Sequence, residues 1–144
     1  MKNGFTLTEV LIVIAIIGII SVATIPAIRF YQPNIRLSGA ARELVTDLRY
    51  IQQITVTEQV EHCIQFFPLE KKYQIIQCQG SEVLEEKTLP TEIQTMTVTG
   101  FTQDIVRYNP YGAVQKAGTI VLENTRNEIK TILVKPSGFI EITY

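Results

Sequence analysis

From Val10 to Ile28 the chain runs for 19 residues without a charged side chain, V-L-I-V-I-A-I-I-G-I-I-S-V-A-T-I-P-A-I. Coiled as a helix rising 1.5 Å per residue, about 20 such residues match the ~30 Å hydrocarbon core of a bilayer. The run is long enough to cross a membrane. The rest of the chain is ordinary: 144 residues suit one globular domain, 19% are charged, the formal net charge is −1 and the pI is about 5.9. That balance excludes intrinsic disorder and gives no overall attraction to nucleic acid. Lys2 precedes the run while Arg29 and Arg36 follow it, so the basic flanks set no orientation.

Three readings of this segment are open. Ser21-Val22-Ala23 is a small-x-small triplet that suits signal-peptide cleavage after Ala23, and an uncleaved signal anchor fits equally well. Neither has a use for Glu9, the carboxylate at the mouth of the apolar run. A charge within hydrocarbon costs on the order of 2.5 to 3.5 kcal/mol and usually has a partner. A local partner is available, because Thr6-Leu7-Thr8-Glu9 has the S/T-x-x-E spacing of a capping box at a helix start. There the helix dipole also favours a carboxylate.

The complete string Lys2-Asn3-Gly4-Phe5-Thr6-Leu7-Thr8-Glu9, running directly into the apolar helix with Pro26 within it, closely resembles the class III signal of type IV pilins and type II secretion pseudopilins. The resemblance implies a leader over residues 1–4, removed by a prepilin peptidase after Gly4, and N-methylation of the new terminus at Phe5. Residues 5–28 would then be the transmembrane and assembly helix. It also implies that Glu9 meets the N-terminal amine of a neighbouring subunit, a pairing in which two charges attract strongly where water is scarce. Other pilin subunits, an inner-membrane assembly platform and its ATPase are the partners implied. The location implied is the inner membrane for the single-pass precursor, then a surface pilus or periplasmic pseudopilus. Gly18 and Pro26 weaken the helix between them, so Ile19 to Ile25 either stays helical or extends locally when packed against other helices.

Residues 29–144 form the globular part. Leu37, Ala41, Leu44, Val45, Leu48, Ile51 and Ile54 recur at helical spacing and predict an amphipathic helix over 34–58. Arg36, Arg42, Glu43, Asp47 and Arg49 populate its other sides and read as a solvated face. Beyond residue 59 the period shifts toward two. Strands are expected at His62–Phe67 and Tyr73–Gln79, forming a hairpin, then at Ile93–Thr99, Ile105–Tyr108, Thr119–Glu123, Ile129–Val134 and Phe139–Thr143. Turns are signalled at Pro110-Tyr111-Gly112, Asn124 to Asn127 and Pro136-Ser137-Gly138. The order argues for an α+β fold with the long helix packed on an antiparallel sheet. A second, weaker pattern, Tyr108-Asn109-Pro110-Tyr111-Gly112 followed by Ala117 to Leu122, Ile132 to Val134 and Ser137 to Ile140, is similar to the H-type minor pseudopilin and FimT family. Residues 80–100 match no part of that family pattern.

If Phe67 faces Gln74 in the hairpin, Cys63 faces Cys78, close enough for a disulfide; two buried free thiols are the alternative. Little else suggests chemistry. Two Cys and one His are too few for a zinc site built from those residues, and no cofactor or metal is implied. His62 and Cys63 are strand neighbours that point to opposite faces, no nucleophile elbow or phosphate loop is present, and no catalytic residue is expected. A DNA-binding minor pilin is the alternative within the same family. It would need clustered cations, yet past Ile28 there are 12 basic and 13 acidic residues, with Lys116, Arg126, Lys130 and Lys135 dispersed. A secreted or anchored globular protein with an ordinary signal is the alternative outside it.

Overall fold

The computed structural model describes residues 4–80 and 82–143. Helix α1 (Leu7–Glu58) is followed by β1 (His62–Phe67), a short 3-10 turn at Pro68–Glu70, β2 (Lys72–Gln77), β3 (Val83–Thr88), β4 (Ile93–Thr99), β5 (Ile105–Tyr108), β6 (Gly118–Asn124), β7 (Ile129–Val134) and β8 (Ile140–Thr143). The chain divides into two compact units, one ending at Gln32 and one beginning at Pro33. In the second unit the expected helical face is realised: Leu37, Ala41, Leu44, Val45, Leu48 and Ile51 are buried, joined by Ala40, while Ile54 is only half-buried.

The strands make two four-stranded antiparallel sheets rather than one, ordered β3-β2-β1-β5 and β4-β6-β7-β8. A single core joins α1 to both, with Ile64, Phe66, Tyr73, Ile75 and Val106 from the first sheet and Ile93, Ile120, Leu122, Ile132 and Val134 from the second. Alternate residues of β6 and β7 point into it, as a half-buried strand requires.

Two turns are fixed by glycine on a shared partner. Gly112 and Gly138 both have left-handed backbones, with φ of 80° and 81°. Gln52 of α1 donates from Nε2 to the Gly112 carbonyl at 2.7 Å. A Cβ on Gly138 would strike that carbonyl and the same Gln52 amide. Helix α1 therefore holds the 109–112 turn through Gln52, and the 136–138 turn packs closely against the same side chain.

Three local expectations are corrected. The hairpin register places Phe67 opposite Lys72 and Cys63 opposite Ile76, two residues from the expected pairing. The reason is a tighter connection: Pro68–Glu70 coils into a 3-10 turn, and Lys71 closes it in the left-handed conformation with its N–H on the Pro68 carbonyl at 3.3 Å. Residues 83–88, unassigned from sequence, form β3. Asp47, placed on the solvated face, is buried at 6% exposure.

Candidate functional site

The N-terminal unit starts from the cap. Glu9 Oε2 accepts from the Thr6 backbone N–H at 2.8 Å and from the Thr6 hydroxyl at 2.8 Å, and the Glu9 N–H donates back to Thr6 Oγ1 at 3.3 Å. This is the reciprocal capping box that the Thr6…Glu9 spacing predicted. Both contacts made by the carboxylate fall on one oxygen, and Oε1 takes no hydrogen bond from the described residues. Capping the helix and receiving an incoming cation are therefore compatible roles for the same side chain.

From Leu7 to Pro26 the helix is long and apolar enough to cross a membrane, with mean hydropathy 2.5 and none of the stretch buried. Phe5, just ahead of it, is 89% exposed. Apolar surface bare on all sides of a helix requires lipid or other helices around it. Gly4 lies before the helix; Met1 to Asn3, the rest of the expected leader, fall outside the described residues.

Gly18 and Pro26 both lie within continuous α-helix. Pro26 has no N–H to give the carbonyl one turn earlier. Nearby, the Ser21 hydroxyl donates to the Ile17 carbonyl at 2.7 Å and the Thr24 hydroxyl to the Ile20 carbonyl at 2.9 Å. Such back-bonding keeps hydroxyls satisfied in an apolar setting and tends to bend a helix. A Cβ at Gly18 would meet nothing within 4 Å, so the space beside it is free for a neighbour.

In the globular unit, Cys63 and Cys78 are joined in a disulfide with Cα atoms 5.4 Å apart. The two-residue register change leaves Cys78 just past the end of β2, where its N–H bonds the Glu61 carbonyl at 3.0 Å. His62 is buried, with Nδ1 2.9 Å from the Val60 carbonyl and Nε2 3.3 Å from Glu58 Oε2. It is part of the join between α1 and β1.

One polar cluster was not anticipated. The Tyr73 hydroxyl donates to Asp47 Oδ2 at 2.5 Å, and Lys87 Nζ lies 2.9 Å from Asp47 Oδ1 and 3.4 Å from Glu43 Oε1. Burial above all, and then the Asp47 contact, push the Tyr73 hydroxyl far above the ordinary phenol range. Burial works against the Lys87 charge, but its bonds to Asp47 and Glu43 and the nearby Glu85 outweigh that and hold its pKa above the usual lysine value. The cluster ties α1 to β2 and β3, a structural rather than a chemical task. The sequence signal that could have found it is the Glu43/Asp47 pair, two acids one helical turn apart whose slight repulsion a shared cation relieves.

The first 25 residues match the family model described as the prokaryotic N-terminal methylation motif. Among solved structures, the type IV minor pilin FimU of Pseudomonas aeruginosa PAO1 is similar at TM-score 0.66 and 17% identity, covering 80% of this chain and 92% of that one. The chain carries the prokaryotic N-terminal methylation motif and has a type IV pilin-like fold. FimU in a second crystal form aligns at TM-score 0.62 and 18% identity, over 75% of this chain and 93% of that one. The minor pseudopilin EpsH from the type 2 secretion system of Vibrio cholerae aligns at 0.65 and 9% identity, over 75% and 96%. At these identities the pilin-like structures testify to the fold. Comparison with curated proteins gave no significant match.

Proposed function

We propose that this pilin-like chain is a structural subunit, pilin or pseudopilin, of a type IV pilus or type II secretion pseudopilus. It is held in the membrane by residues 5–28, cleaved after Gly4, methylated at Phe5 and polymerised through its N-terminal helix. The observation that carries the reading is the methylation motif over residues 1–25, which takes in nearly all of an unburied apolar helix, Leu7–Pro26, whose one acid stands in its first turn. Two further points support it. The globular unit has the pilin fold, and Glu9 keeps one oxygen without a donor among the described residues, where a neighbour's amine would find a partner.

The work is mechanical, with prepilin peptidase, other pilin subunits, an inner-membrane platform and its ATPase as partners. Gly18 and Pro26 supply the weak points at which the helix adjusts to its neighbours, and the disulfide staples the first hairpin. The C-terminal pattern from Tyr108 to Ile140 supports a finer placement beside the H-type and FimT-like chains.

Substitution separates the steps. A bulky residue at Gly4 should block leader removal, whereas Glu9→Ala should leave processing intact and prevent incorporation into filaments. Filaments formed normally by Glu9→Ala would reduce the carboxylate to a helix cap and remove its role in assembly.

A further inference from the structure

Strand β5 lies at an edge of its sheet, and its own flanking loops seal that edge. Ile105 bridges Thr102 and gives its N–H to the Thr102 carbonyl at 3.1 Å. Beyond it the Arg107 carbonyl accepts the Gln115 N–H at 3.1 Å, and the Asn109 N–H bonds the Ala113 carbonyl at 2.9 Å. What this edge offers a partner is therefore side chains, not backbone. Val106 and Tyr108 point into the core, so Ile105 and Arg107 point away from it. The loop before the strand sets Thr102 and Gln103 beside them, and the loop after it sets Gln115 and Lys116, around a notch of about 310 Å³.

Both walls of the notch are fixed. Asn109 Oδ1 accepts from the Tyr111 and Ala113 N–H groups at 3.0 Å each, which folds the second loop back toward β5. A Cβ on Gly100 would lie 2.7 Å from the Ala117 carbonyl oxygen, and one on Gly118 would lie 2.5 Å from the Phe101 ring, so the two loops touch through glycine. In the first loop Gln103 and Asp104 hold left-handed backbones, φ 55° and 56°, a conformation that costs a residue with a Cβ free energy and persists where its surroundings over-determine it.

The notch collects donors that the fold does not use. Among the described residues the side chains of Thr102, Gln103, Gln115 and Lys116 make no hydrogen bond or ion pair, and Arg107 has only Glu61, 3.7 Å from Nη1, as an ionic neighbour. A guanidinium fork, an ammonium, two amides and a hydroxyl around one hollow suit a planar oxyanion. They do not suit a polyanion, because a nucleic-acid backbone is tracked by a row of cations, and here Glu61 and Asp104 adjoin the pair. We propose that the notch takes the carboxylate of an acidic side chain on a neighbouring subunit. That the neighbour is a filament subunit rests on the assembly reading above; the carboxylate site itself does not.

Two measurements test the site and the neighbour separately. Isotope-labelled full-length protein in detergent at low salt is titrated with an acetylated, amidated Ala-Glu-Ala peptide. Saturable NMR shifts of the Gln103, Gln115 and Lys116 amides are expected, absent with Ala-Gln-Ala and absent in Arg107→Gln/Lys116→Gln. No shift, equal shifts with the glutamine peptide, or shifts produced by inorganic phosphate or a DNA duplex and not by the glutamate peptide would overturn the site. Carbodiimide coupling of assembled filaments reads the neighbour. An amide link from Lys116 to an acid of another subunit is expected, lost in Lys116→Arg, which keeps the charge but not the primary amine. Reversing that acid to lysine should restore the incorporation that Arg107→Glu/Lys116→Glu loses, and an intact Cys63–Cys78 bond verifies that each variant has folded. Links from Lys116 to Glu61 or Asp104 of its own chain alone, or normal incorporation of the doubly reversed chain, would overturn the contact. Filaments that still require Glu9 but carry no such link would refute it and leave helix-driven assembly standing.

Discussion

Asp47 Oδ2 accepts the Tyr73 hydroxyl at 2.5 Å, joining the middle of α1 to β2 across 26 residues of sequence, and both residues are buried. The same carboxylate holds Lys87 through its other oxygen. Removing Asp47 leaves the buried Tyr73 hydroxyl without its acceptor, which costs more than the bond itself contributes, while Lys87 keeps Glu43 and Glu85. Asp47→Leu should therefore destabilise by about 1 to 3 kcal/mol, and Tyr73→Phe, which leaves Asp47 still paired with Lys87, by about 1 kcal/mol. Denaturant unfolding of both variants checks the order; a larger loss for Tyr73→Phe would contradict it.

The cluster also sets a pH dependence. Tyr73 and Lys87 both have folded pKa values raised above the ordinary, Tyr73 by burial first and Lys87 by its acidic partners against the effect of burial. A raised pKa contributes stability that is complete below the unfolded value and is lost as pH climbs toward the folded one. Melting temperature should fall on the alkaline side, above about pH 10. Tyr73→Phe should flatten that fall. An unchanged alkaline slope in the variant would show that the phenol is not its source.

Gly138 tests the turn clasp. Alanine there would need a left-handed backbone and would strike the Gly112 carbonyl and the Gln52 amide, so a loss of at least 1 to 2 kcal/mol, roughly, is expected. Gly39, in exposed helix with nothing within 4 Å of an added Cβ, should respond oppositely, with alanine stabilising by up to about 1 kcal/mol. Thermal unfolding of the two variants reads both signs. Equal responses would mean that the two glycines are interchangeable.

The disulfide spans 15 residues, and reducing it should cost about 3 kcal/mol by loop-closure entropy. Unfolding with and without reductant measures this, with Cys63→Ala/Cys78→Ala as the permanently reduced form. No shift between the oxidised and reduced forms would show that the first hairpin needs no staple.

Local signals made most of the fold legible. The 3/4 spacing from Leu37 to Ile51 foretold the buried face of α1, and the Pro-Tyr-Gly and Pro-Ser-Gly turns fall where they were placed. β3 was missed because an edge strand open on both faces need not alternate, and V-L-E-E-K-T does not. The hairpin register escaped for a related reason. A slip of one residue reverses every face, whereas a slip of two preserves them, so the apolar pattern cannot tell Phe67–Gln74 from Phe67–Lys72. Asp47 was misplaced because its partners lie 26 and 40 residues away, beyond the reach of helical spacing. At the N-terminus, by contrast, Thr6 and Glu9 are three residues apart, and their geometry followed from the sequence alone.

The central claim is that the chain is processed ahead of an apolar helix that it keeps and uses for assembly. Sequencing the N-terminus of the mature protein, with its intact mass, tests this directly. A chain beginning at Phe5 and heavier by one N-methyl group is the expected result. A mature chain beginning at Thr24, with the apolar helix removed, would contradict the account.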